Sequence, residues 1–271
     1  MNKILAIKEM APNVKEYLIE SKEISKHCLP GQFIILRVDE DGERVPFTIC
    51  DYDREAGTIT LLVQEVGYST HKMGLLKVGD SIHDMVGPLG NPTDLDEYDN
   101  VLLVGGGIGT AVIYPQSKLR KSKGLKCDAI LGARTENLLF SVDEFKKNCE
   151  NVYIATDDGS LGTKGFVTTV LQQLIDEGKK IDCVLVVGPM IMMKNVAELT
   201  RPYGIPTIVS MNCIMVDGTG MCGGCRLTVD GKIKYACVDG PEFDGHKVDF
   251  AGAMNRSRFY KEHEDKCRLR G

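Results

Sequence analysis

A regular alternation of apolar strands with helices between residues 98 and 210 constrains the fold of this chain more than any other feature. It opens with NVLLVGGGIG, an apolar strand that runs into glycines, and it closes with PTIVS. Between them lie the strands of KCDAILGAR, NVYIATDDG and DCVLVVGP and the helical segments AVIYPQSKLRKSKG, SVDEFKKNC, FVTTVLQQLIDEG and MIMMKNVAELTRPYG. Strands that alternate with helices form a parallel sheet with helices on both faces. Residues 98–210 are therefore predicted to form a doubly wound α/β domain.

The segments on either side of this domain have different patterns. Residues 1–97 contain short strands separated by Gly, Pro and Asp, which predicts an antiparallel β-barrel: KILAIKEM, NVKEYLIE, QFIILRV, TITLLVQEV and DSIHDMV. Residues 211–271 begin with a Gly- and Cys-rich loop and continue with CRLTVDGKIKYAC, where Asp230-Gly231 indicates a hairpin turn. A short helix is predicted after Val248, and the basic end HEDKCRLRG is predicted to be mobile. The predicted fold class is thus β + α/β in three domains.

Composition excludes several classes of protein. The 271 residues are 43% hydrophobic with a net charge of −5 and no basic run, which argues against nucleic acid as a partner. No stretch approaches the roughly 18 apolar residues of a membrane helix. The N-terminus alternates like a strand and has no signal-peptide core, so a cytoplasmic location is predicted. The ten cysteines are predicted to be reduced thiols or metal ligands, with six scattered ones read as small buried side chains: Cys28, Cys50, Cys127, Cys149, Cys183 and Cys267.

Three glycine-bearing turns are predicted at the carboxyl edge of the parallel sheet, where ligands of such sheets bind. LLVGGGIGT places glycines between a strand and a helix N-terminus, which suits a phosphate group, although a tight turn alone would also need them. Asp157 and Asp158 precede the second glycine loop, and Gly188 and Pro189 follow a later strand. The two carboxylates would repel a 2′-phosphate, which favours NAD(H) over NADP(H); helix capping or turn formation is the alternative role.

The barrel contains a second candidate site in ERVPFTICDYD and LLVQEVGYSTHKMG. The Arg44 guanidinium suits a diphosphate, the Phe47 ring suits packing on a flavin, and the Thr48 hydroxyl suits a hydrogen bond to the isoalloxazine edge. Gly67, Ser69 and Thr70 are further candidates for phosphate contact. An edge strand with a paired arginine is the alternative interpretation.

Taken in order, RVPFTI, GYST, GPLGNP, VGGGIGTA, TDDGSLGTKGF and VGPMIMM resemble the ferredoxin–NADP reductase superfamily, in the branch of the dihydroorotate dehydrogenase electron-transfer subunit. VDGTGMCGGCRLTV and ACVDGPEFDGHKVDF are similar to the small subunit of NADH-dependent reduced ferredoxin:NADP oxidoreductases, also called the sulfide dehydrogenase small subunit. The resemblance implies an FAD-binding barrel over 1–97, an NAD(H)-binding domain over 98–210 and a 2Fe–2S segment over 211–271.

The resemblance also implies the residues around each cofactor. Those expected at FAD are Arg44, Pro46, Phe47, Thr48, Leu62, Val63, Gln64, Gly67, Ser69 and Thr70. Those expected at the nicotinamide nucleotide are Gly106, Gly107, Ile108, Gly109, Thr110, Asp157, Asp158, Gly188 and Pro189. Hydride transfer requires no acid–base residue, so Thr48, at the expected reactive edge of the flavin, is the residue assigned to catalysis.

The cysteine loop offers three thiols where a closed metal site needs four ligands: Cys222, Cys225 and Cys237. In the dihydroorotate branch the loop has a first cysteine that falls here on Asp217, and a carboxylate oxygen can bind ferric iron. Asp217 is therefore the predicted fourth ligand of a 2Fe–2S cluster. Cys213, four residues upstream, is the rival, and a structural zinc is a further alternative.

The predicted function is that of an electron-transfer flavoprotein subunit that exchanges hydride between NAD(H) and FAD and single electrons between FAD and the cluster. The resemblance implies a larger partner subunit with a second FAD and 4Fe–4S clusters, which reacts with NADPH and reduces ferredoxin by electron bifurcation. Two alternatives stay open: the electron-transfer subunit of an NAD-linked dihydroorotate dehydrogenase, and a non-redox nucleotide-sensing module with a structural zinc.

Overall fold

The N-terminal strands form two antiparallel sheets around one apolar core in the computed structural model, which describes residues 2–259. One sheet has the order β5-β6-β2-β1-β7 and the other the order β4-β3-β8. The strands are β1 (Asn2–Ala11), β2 (Val14–Glu20), β3 (Phe33–Arg37), β4 (Val45–Thr48), β5 (Asp51–Asp53), β6 (Thr58–Gln64), β7 (Ser81–Ile82) and β8 (Asp84–Leu89), with helices α1 (Lys22–His27) and α2 (Tyr68–Gly74). Ile4, Tyr17, Ile34 and Leu61, which come from both sheets, are fully buried in the shared core.

The segment DSIHDMV differs from its prediction as a single strand. Ser81–Ile82 pairs with β1, whereas Asp84–Leu89 pairs with β3, so the two pieces belong to different sheets. His83 lies between them, and its N–H donates to the carbonyl of Val38 at 3.3 Å. Alternation continues through the change of sheet, so the sequence pattern has no signal for it.

The glycine-bearing turns belong to a seven-stranded sheet of order β12-β11-β10-β9-β13-β14-β17. Its strands are β9 (Val101–Gly106), β10 (Cys127–Ala133), β11 (Val152–Thr156), β12 (Thr163–Lys164), β13 (Cys183–Val187), β14 (Thr207–Ser210) and β17 (Glu242–Asp244). Its helices are α3 (Gly109–Ser122), α4 (Val142–Asn148), α5 (Val167–Asp176) and α6 (Met190–Thr200), with 3-10 turns at Glu136–Leu138 and Arg201–Tyr203. All pairs are parallel except β14 with β17.

The strand order of this sheet reverses at β9, which lies between β10 and β13. Strands β9 and β13 are buried along their whole length, as expected for central strands covered by helices on both faces. The reversal is the switch point at which doubly wound sheets bind ligands. The predicted fold class, with antiparallel sheets, a doubly wound parallel sheet and a C-terminal segment, is confirmed.

The C-terminal segment contains a hairpin of β15 (Arg226–Val229) and β16 (Lys232–Tyr235), followed by α7 (Ala236–Asp239) and α8 (Phe250–Ser257). Asp230 and Gly231 have φ of 51° and 69°, the left-handed backbone that a two-residue hairpin turn requires. Both the hairpin and the helix after Val248 agree with the sequence prediction. The end HEDKCRLRG lies outside the described residues.

Two compact units emerge from the packing. Among the described residues, the first contains 2–92, Asn212–Pro241 and 249–259; the second contains Thr93–Met211 and Glu242–Val248. The chain thus returns to the second unit to add β17, a strand that the sequence did not predict. The three-part division predicted above stays a prediction. Within residues 2–259, every helix is too short or too polar to serve as a membrane span.

Candidate functional site

The four predicted cluster ligands lie in the structure as two pairs. The Cys222 thiol donates to Asp217 Oδ1 at 3.1 Å, and the Cys225 and Cys237 sulfurs are 3.2 Å apart. Across the described part of the chain, Cys213 joins neither pair; burial raises the pKa of its thiol to about 12. Asp217 therefore lies beside Cys222, and Cys237 lies beside Cys225.

Glycines shape the loop that holds these residues. Gly218, Gly220 and Gly223 have φ between 66° and 84°, which side-chain-bearing residues rarely adopt. At Gly218 a Cβ atom would lie 2.7 Å from the Cδ1 atoms of both Ile35 and Leu89, so the loop backbone lies directly on barrel strands β3 and β8. Glycine is needed there both for backbone conformation and for close approach.

The Asp217 carboxylate is surrounded by donors from its own loop. Its Oδ2 accepts from Thr219 Oγ1 at 3.0 Å and from the backbone N–H groups of Met221 and Cys222 at 3.1 and 3.2 Å. The hydrogen bond from the Cys222 thiol, together with those from Thr219 and the loop backbone, holds the pKa of Asp217 well below its usual range. The carboxylate is therefore ionised and oriented at neutral pH, as a metal ligand must be.

The thiols differ in exposure and accept backbone hydrogen bonds. Cys222 is exposed, whereas Cys225 and Cys237 are each only 2% exposed. The N–H of Gly224 donates to the Cys222 sulfur and the N–H of Cys237 donates to the Cys225 sulfur, both at 3.4 Å. Burial, followed by the hydrogen bond shared with Cys225, raises the pKa of Cys237 to about 12. Such N–H···S contacts are among the features that set the potential of an iron–sulfur centre.

The paired arrangement fits a two-iron cluster better than a single metal ion. Each iron of a 2Fe–2S cluster takes two protein ligands, so the pairs Asp217–Cys222 and Cys225–Cys237 could hold one iron each. A structural zinc needs four ligands around one atom. Among residues 2–259, no three His, Cys, Asp or Glu side chains converge on a position for one metal ion. The two separate pairs suit a group in which each metal atom takes two protein ligands.

Arg44 contacts the cluster loop, a role that the sequence did not predict. Its Nε donates to the carbonyl of Val216 at 2.7 Å and its Nη2 to the carbonyl of Asp217 at 3.4 Å. From the other side of the loop, Arg256 of α8 donates to the carbonyl of Gly224 at 3.2 Å. Both arginines act over long sequence separations, so no local pattern could have revealed these contacts.

Strand alternation divides the predicted flavin residues of β4 and β6 between two faces. Val63 is fully buried in the barrel core, so a flavin contact by Val63 would involve its backbone. The Phe47 ring packs against the same core but is only half-buried. The opposite faces carry Pro46 and Thr48 of β4, and Leu62 and Gln64 of β6.

The hydroxyls of the GYST segment are engaged within the barrel unit. Thr70 Oγ1 accepts from the N–H groups of Val66 and Gly67 at 3.0 and 2.9 Å, and Ser69 Oγ donates to Glu43 at 3.0 Å. A Cβ added at Gly67 would have no atom within 4 Å, so the space beside this residue is open. Of the three predicted phosphate contacts, Gly67 thus borders open space, whereas both hydroxyls already have partners.

At the switch point, the turns after β9 and β13 lie beside one another. A Cβ at Gly109 would lie 2.2 Å from the carbonyl oxygen of Val187, so glycine lets the first turn of α3 touch the end of β13. A Cβ at Gly106 or Gly188 would meet Met192, at 2.3 and 2.5 Å. These glycines therefore serve close packing, whereas a Cβ at the exposed Gly107 would meet nothing within 4 Å.

The remaining nucleotide candidates differ in accessibility. Thr110 is only 3% exposed, while Pro189, Asp157 and Asp158 are exposed at the edge of the sheet, with Ile108 half-buried. Asp158 Oδ1 accepts from Ser160 Oγ at 2.7 Å and from Ser160 N at 3.0 Å, and these bonds lower the pKa of Asp158. Asp158 therefore forms the turn anticipated as the alternative role.

Comparison with known proteins agrees with this geometry. The family model described as the iron–sulfur cluster binding domain of dihydroorotate dehydrogenase B matches residues 212–249. A Thermotoga maritima protein described as a dihydroorotate dehydrogenase B (NAD(+)) electron transfer subunit homolog is 48% identical, over 97% of this chain and 93% of that protein. A Methanocaldococcus jannaschii protein, a probable electron transfer subunit of the same enzyme, is 38% identical over 92% of this chain and 90% of its own.

Solved structures give the same result. A structure described as that of the NADH-dependent reduced ferredoxin–NADP oxidoreductase is 46% identical, with a TM-score of 0.94 over 100% of this chain and 97% of that one. The ferredoxin reductase of carbazole 1,9a-dioxygenase is 18% identical, with a TM-score of 0.66 over 75% of this chain and 64% of that one, and shares the fold.

Fold, ligand pairs and relatives together define an NAD(H)-dependent flavin and iron–sulfur oxidoreductase subunit of the ferredoxin reductase class. The predicted cofactors FAD, 2Fe–2S and NAD(H) agree with this class. The chain belongs to the family of dihydroorotate dehydrogenase B electron-transfer subunits and their homologues. Its function is that of an electron-transfer subunit.

Proposed function

We propose that the chain is the small subunit of an electron-bifurcating NADH-dependent ferredoxin:NADP oxidoreductase. The observation that most supports this proposal is Asp217, whose carboxylate pairs with Cys222 in the position where the dihydroorotate branch has a cysteine. The proposal is also supported by the similarity of the fold to the structure described as an NADH-dependent reduced ferredoxin–NADP oxidoreductase, with a TM-score of 0.94.

Each group of residues has a separate task in this proposal. FAD, when bound, links the two-electron exchange with NAD(H) to one-electron exchange with the cluster. The exposed Gly107, in the turn after β9, leaves room for the nucleotide backbone, and the exposed Asp157 and Asp158 disfavour a 2′-phosphate. Thr48 presents its hydroxyl on the face of β4 that it shares with Pro46.

The cluster loop supplies ligands and a fixed geometry. Asp217 and Cys222 would hold one iron of a bound cluster, and Cys225 and Cys237 the other. Cys222 is exposed, whereas Cys225 and Cys237 are buried, so the Asp217–Cys222 pair is the side of the site open to solvent. Arg44 fixes the loop backbone next to Asp217 through two carbonyl oxygens.

A larger partner subunit completes the reaction. The cysteine loop holds the ligands of one cluster, and the sequence has no second cysteine motif of that kind. The proposed partner has a second FAD and 4Fe–4S clusters and carries out the half-reactions with NADP(H) and ferredoxin.

Anoxic purification of the full chain from its native cells tests the proposal. We expect a larger flavin and iron–sulfur subunit to co-purify, and the complex to reduce ferredoxin with NADPH only when NAD⁺ accepts the other electrons. The isolated chain should show flavin bands that NADH bleaches, over cluster bands that persist after flavin removal. Turnover of NADP(H) with ferredoxin by the isolated chain, at the rate of the complex, would contradict the proposal.

The second candidate function is the electron-transfer subunit of an NAD-linked dihydroorotate dehydrogenase. The match of residues 212–249 to the dihydroorotate dehydrogenase B cluster domain favours it. Co-purification of a dihydroorotate-oxidising subunit, and dihydroorotate-dependent reduction of NAD⁺ by the complex, would establish this alternative in place of the first.

A further inference from the structure

Two cysteines outside the proposed electron path meet at the start of strand β10. Cys127 is the first residue of β10 and Cys149 directly follows α4, and their sulfurs are 3.6 Å apart. The N–H of Glu150 donates to the carbonyl of Cys127 at 2.9 Å, which holds the two backbone segments side by side. From the sequence, Cys127 and Cys149 were predicted to be two separate buried side chains, because they are 22 positions apart.

This arrangement lies close to what a disulfide requires. Bonded sulfurs are about 2.05 Å apart, so these two would have to approach by roughly 1.5 Å. The backbones on either side are already hydrogen-bonded to one another, so the approach is left to the two side chains.

A fixed cation stands near Cys127. Arg120 is only 1% exposed, and its guanidinium donates to the carbonyls of Lys126, Leu95 and Tyr98 at 2.9, 2.7 and 2.7 Å. The hydrogen bond from Cys149, followed by the charge of Arg120, lowers the pKa of Cys127, against the opposing effects of burial and of neighbouring carboxylates. Thiolate is the form of cysteine that reacts with oxidants.

A cavity lies beside Cys127. It has a volume of about 260 Å³ and is lined by Cys127 together with Asn100, Val101, Asp128, Asn151 and Lys179. These residues lie at the amino ends of β9 and β10, at the opposite edge of the sheet from the glycine turns. A hydroperoxide is comparable in size to a few water molecules of about 30 Å³ each, so the cavity is large enough to admit one.

We propose that Cys127 and Cys149 form a redox-active dithiol that a small hydroperoxide oxidises to a disulfide. The Cys127 thiolate attacks a peroxide oxygen, the O–O bond breaks, and Cys127 becomes a sulfenic acid as water or an alcohol leaves. The Cys149 thiol then attacks this sulfur, the S–S bond forms and water leaves. The two thiols lose two electrons in total and the peroxide gains them.

The test uses the full chain, purified anoxically with its FAD and cluster and treated with graded hydrogen peroxide. Free thiols are alkylated, and the protein is digested with trypsin without reduction while the visible spectrum is recorded in parallel. Cys127 and Cys149 fall in separate tryptic peptides, 127–134 and 148–164, each with one cysteine. We expect a cross-linked peptide of these two to appear while the cluster bands are still intact, and a dithiol reductant to reverse it.

Two variants make the result specific. In Cys149→Ser, Cys127 should stop at the sulfenic acid and react with dimedone, whereas Cys183→Ala, which removes a lone buried thiol of the same sheet, should leave the cross-link unchanged. The proposal is overturned if wild-type peptides 127–134 and 148–164 stay alkylated until the cluster bands have bleached. It is equally overturned if Cys127 is recovered linked only to other cysteines, including Cys225 or Cys237.

Discussion

Asp217 is the residue on which the proposed function most depends, and it can be separated experimentally from its rival Cys213. We expect Asp217→Cys to retain a cluster with altered g values, because ligand identity and local charge set the electronic properties of the centre. Asp217→Ala should lose iron, and Cys213→Ser should leave the spectrum unchanged. Electron paramagnetic resonance of the reduced chain measures all three; a change in Cys213→Ser alone would assign the ligand to Cys213.

Arg44 has two roles open to it, the contact with the cluster loop and the predicted flavin diphosphate. We expect Arg44→Gln to release the carbonyls of Val216 and Asp217, which costs about 1–3 kcal/mol of loop stability for charge-assisted hydrogen bonds. Iron transfer to a chelator should then be about tenfold faster or more. Arg44→Lys is the matched control, since it keeps the charge but loses the fork of donors. Arg44→Gln could instead weaken FAD binding while iron release and the resonance line shape stay as in the wild type. In that case the contact of Arg44 with the loop does not contribute to cluster binding.

At the residue scale, contacts between residues close in sequence could be predicted, whereas contacts between distant residues could not. The proximity of Asp217 to Cys222 could be predicted because only five positions separate them in a recognisable loop. The contact of Arg44 could not, because the arginine and Val216 are 172 positions apart. The same holds for Cys127 and Cys149, which become neighbours only when β10 and α4 are in place.

At the scale of elements, the turn between β9 and α3 is the part most sensitive to added volume. We expect Gly109→Ala to lower the unfolding free energy by about 1–3 kcal/mol, because the methyl group would overlap the Val187 carbonyl and push α3 outward. NADH should bind more weakly, as measured by titration of the flavin-loaded chain.

Gly178→Ala is the control for this prediction. Gly178 has φ of 74° but open space around its Cβ position, so alanine there adds backbone strain of about 1–2 kcal/mol and no overlap. It should leave NADH affinity unchanged. Equal effects of both variants on NADH affinity would mean that the packing of α3 on β13 does not shape the site.

The central strands were predictable because burial on both faces gives continuous apolar runs, as in VLLV of β9 and CVLVV of β13. Strand β17 was not, because its three residues EFD have neither a run nor an alternation long enough to stand out. Its place beside β14 depends on the chain returning after the hairpin, and no local pattern specifies such a return.

At the scale of the whole molecule, the chain passes through the cluster segment and then adds β17 to the edge of β14. Removal of everything after Met211 should therefore affect stability as well as cluster binding. We expect a chain that ends at Met211 to lose β17 from the edge of β14, together with residues that pack in the first unit. Its unfolding free energy should fall by at least 1 kcal/mol, or about 2–4 °C in Tm for a domain of this size. Thermal unfolding followed by circular dichroism measures this change.

The full-length double variant Cys225→Ser/Cys237→Ser is the comparison for the shortened chain. It removes the second ligand pair but keeps β17 and the rest of the packing. Equal Tm values for the two proteins would mean that the returning segment serves only the cluster.

The two ends of the cluster segment are neighbours within one ladder, since Ser210 of β14 lies opposite Glu242 of β17. Antiparallel strands that adjoin in this way can be joined by a two-residue turn, with no change to the strands themselves. The segment between Ser210 and Glu242 therefore begins and ends at adjacent positions of the sheet. Replacing this segment by such a turn would remove the cluster ligands and leave β14 and β17 paired.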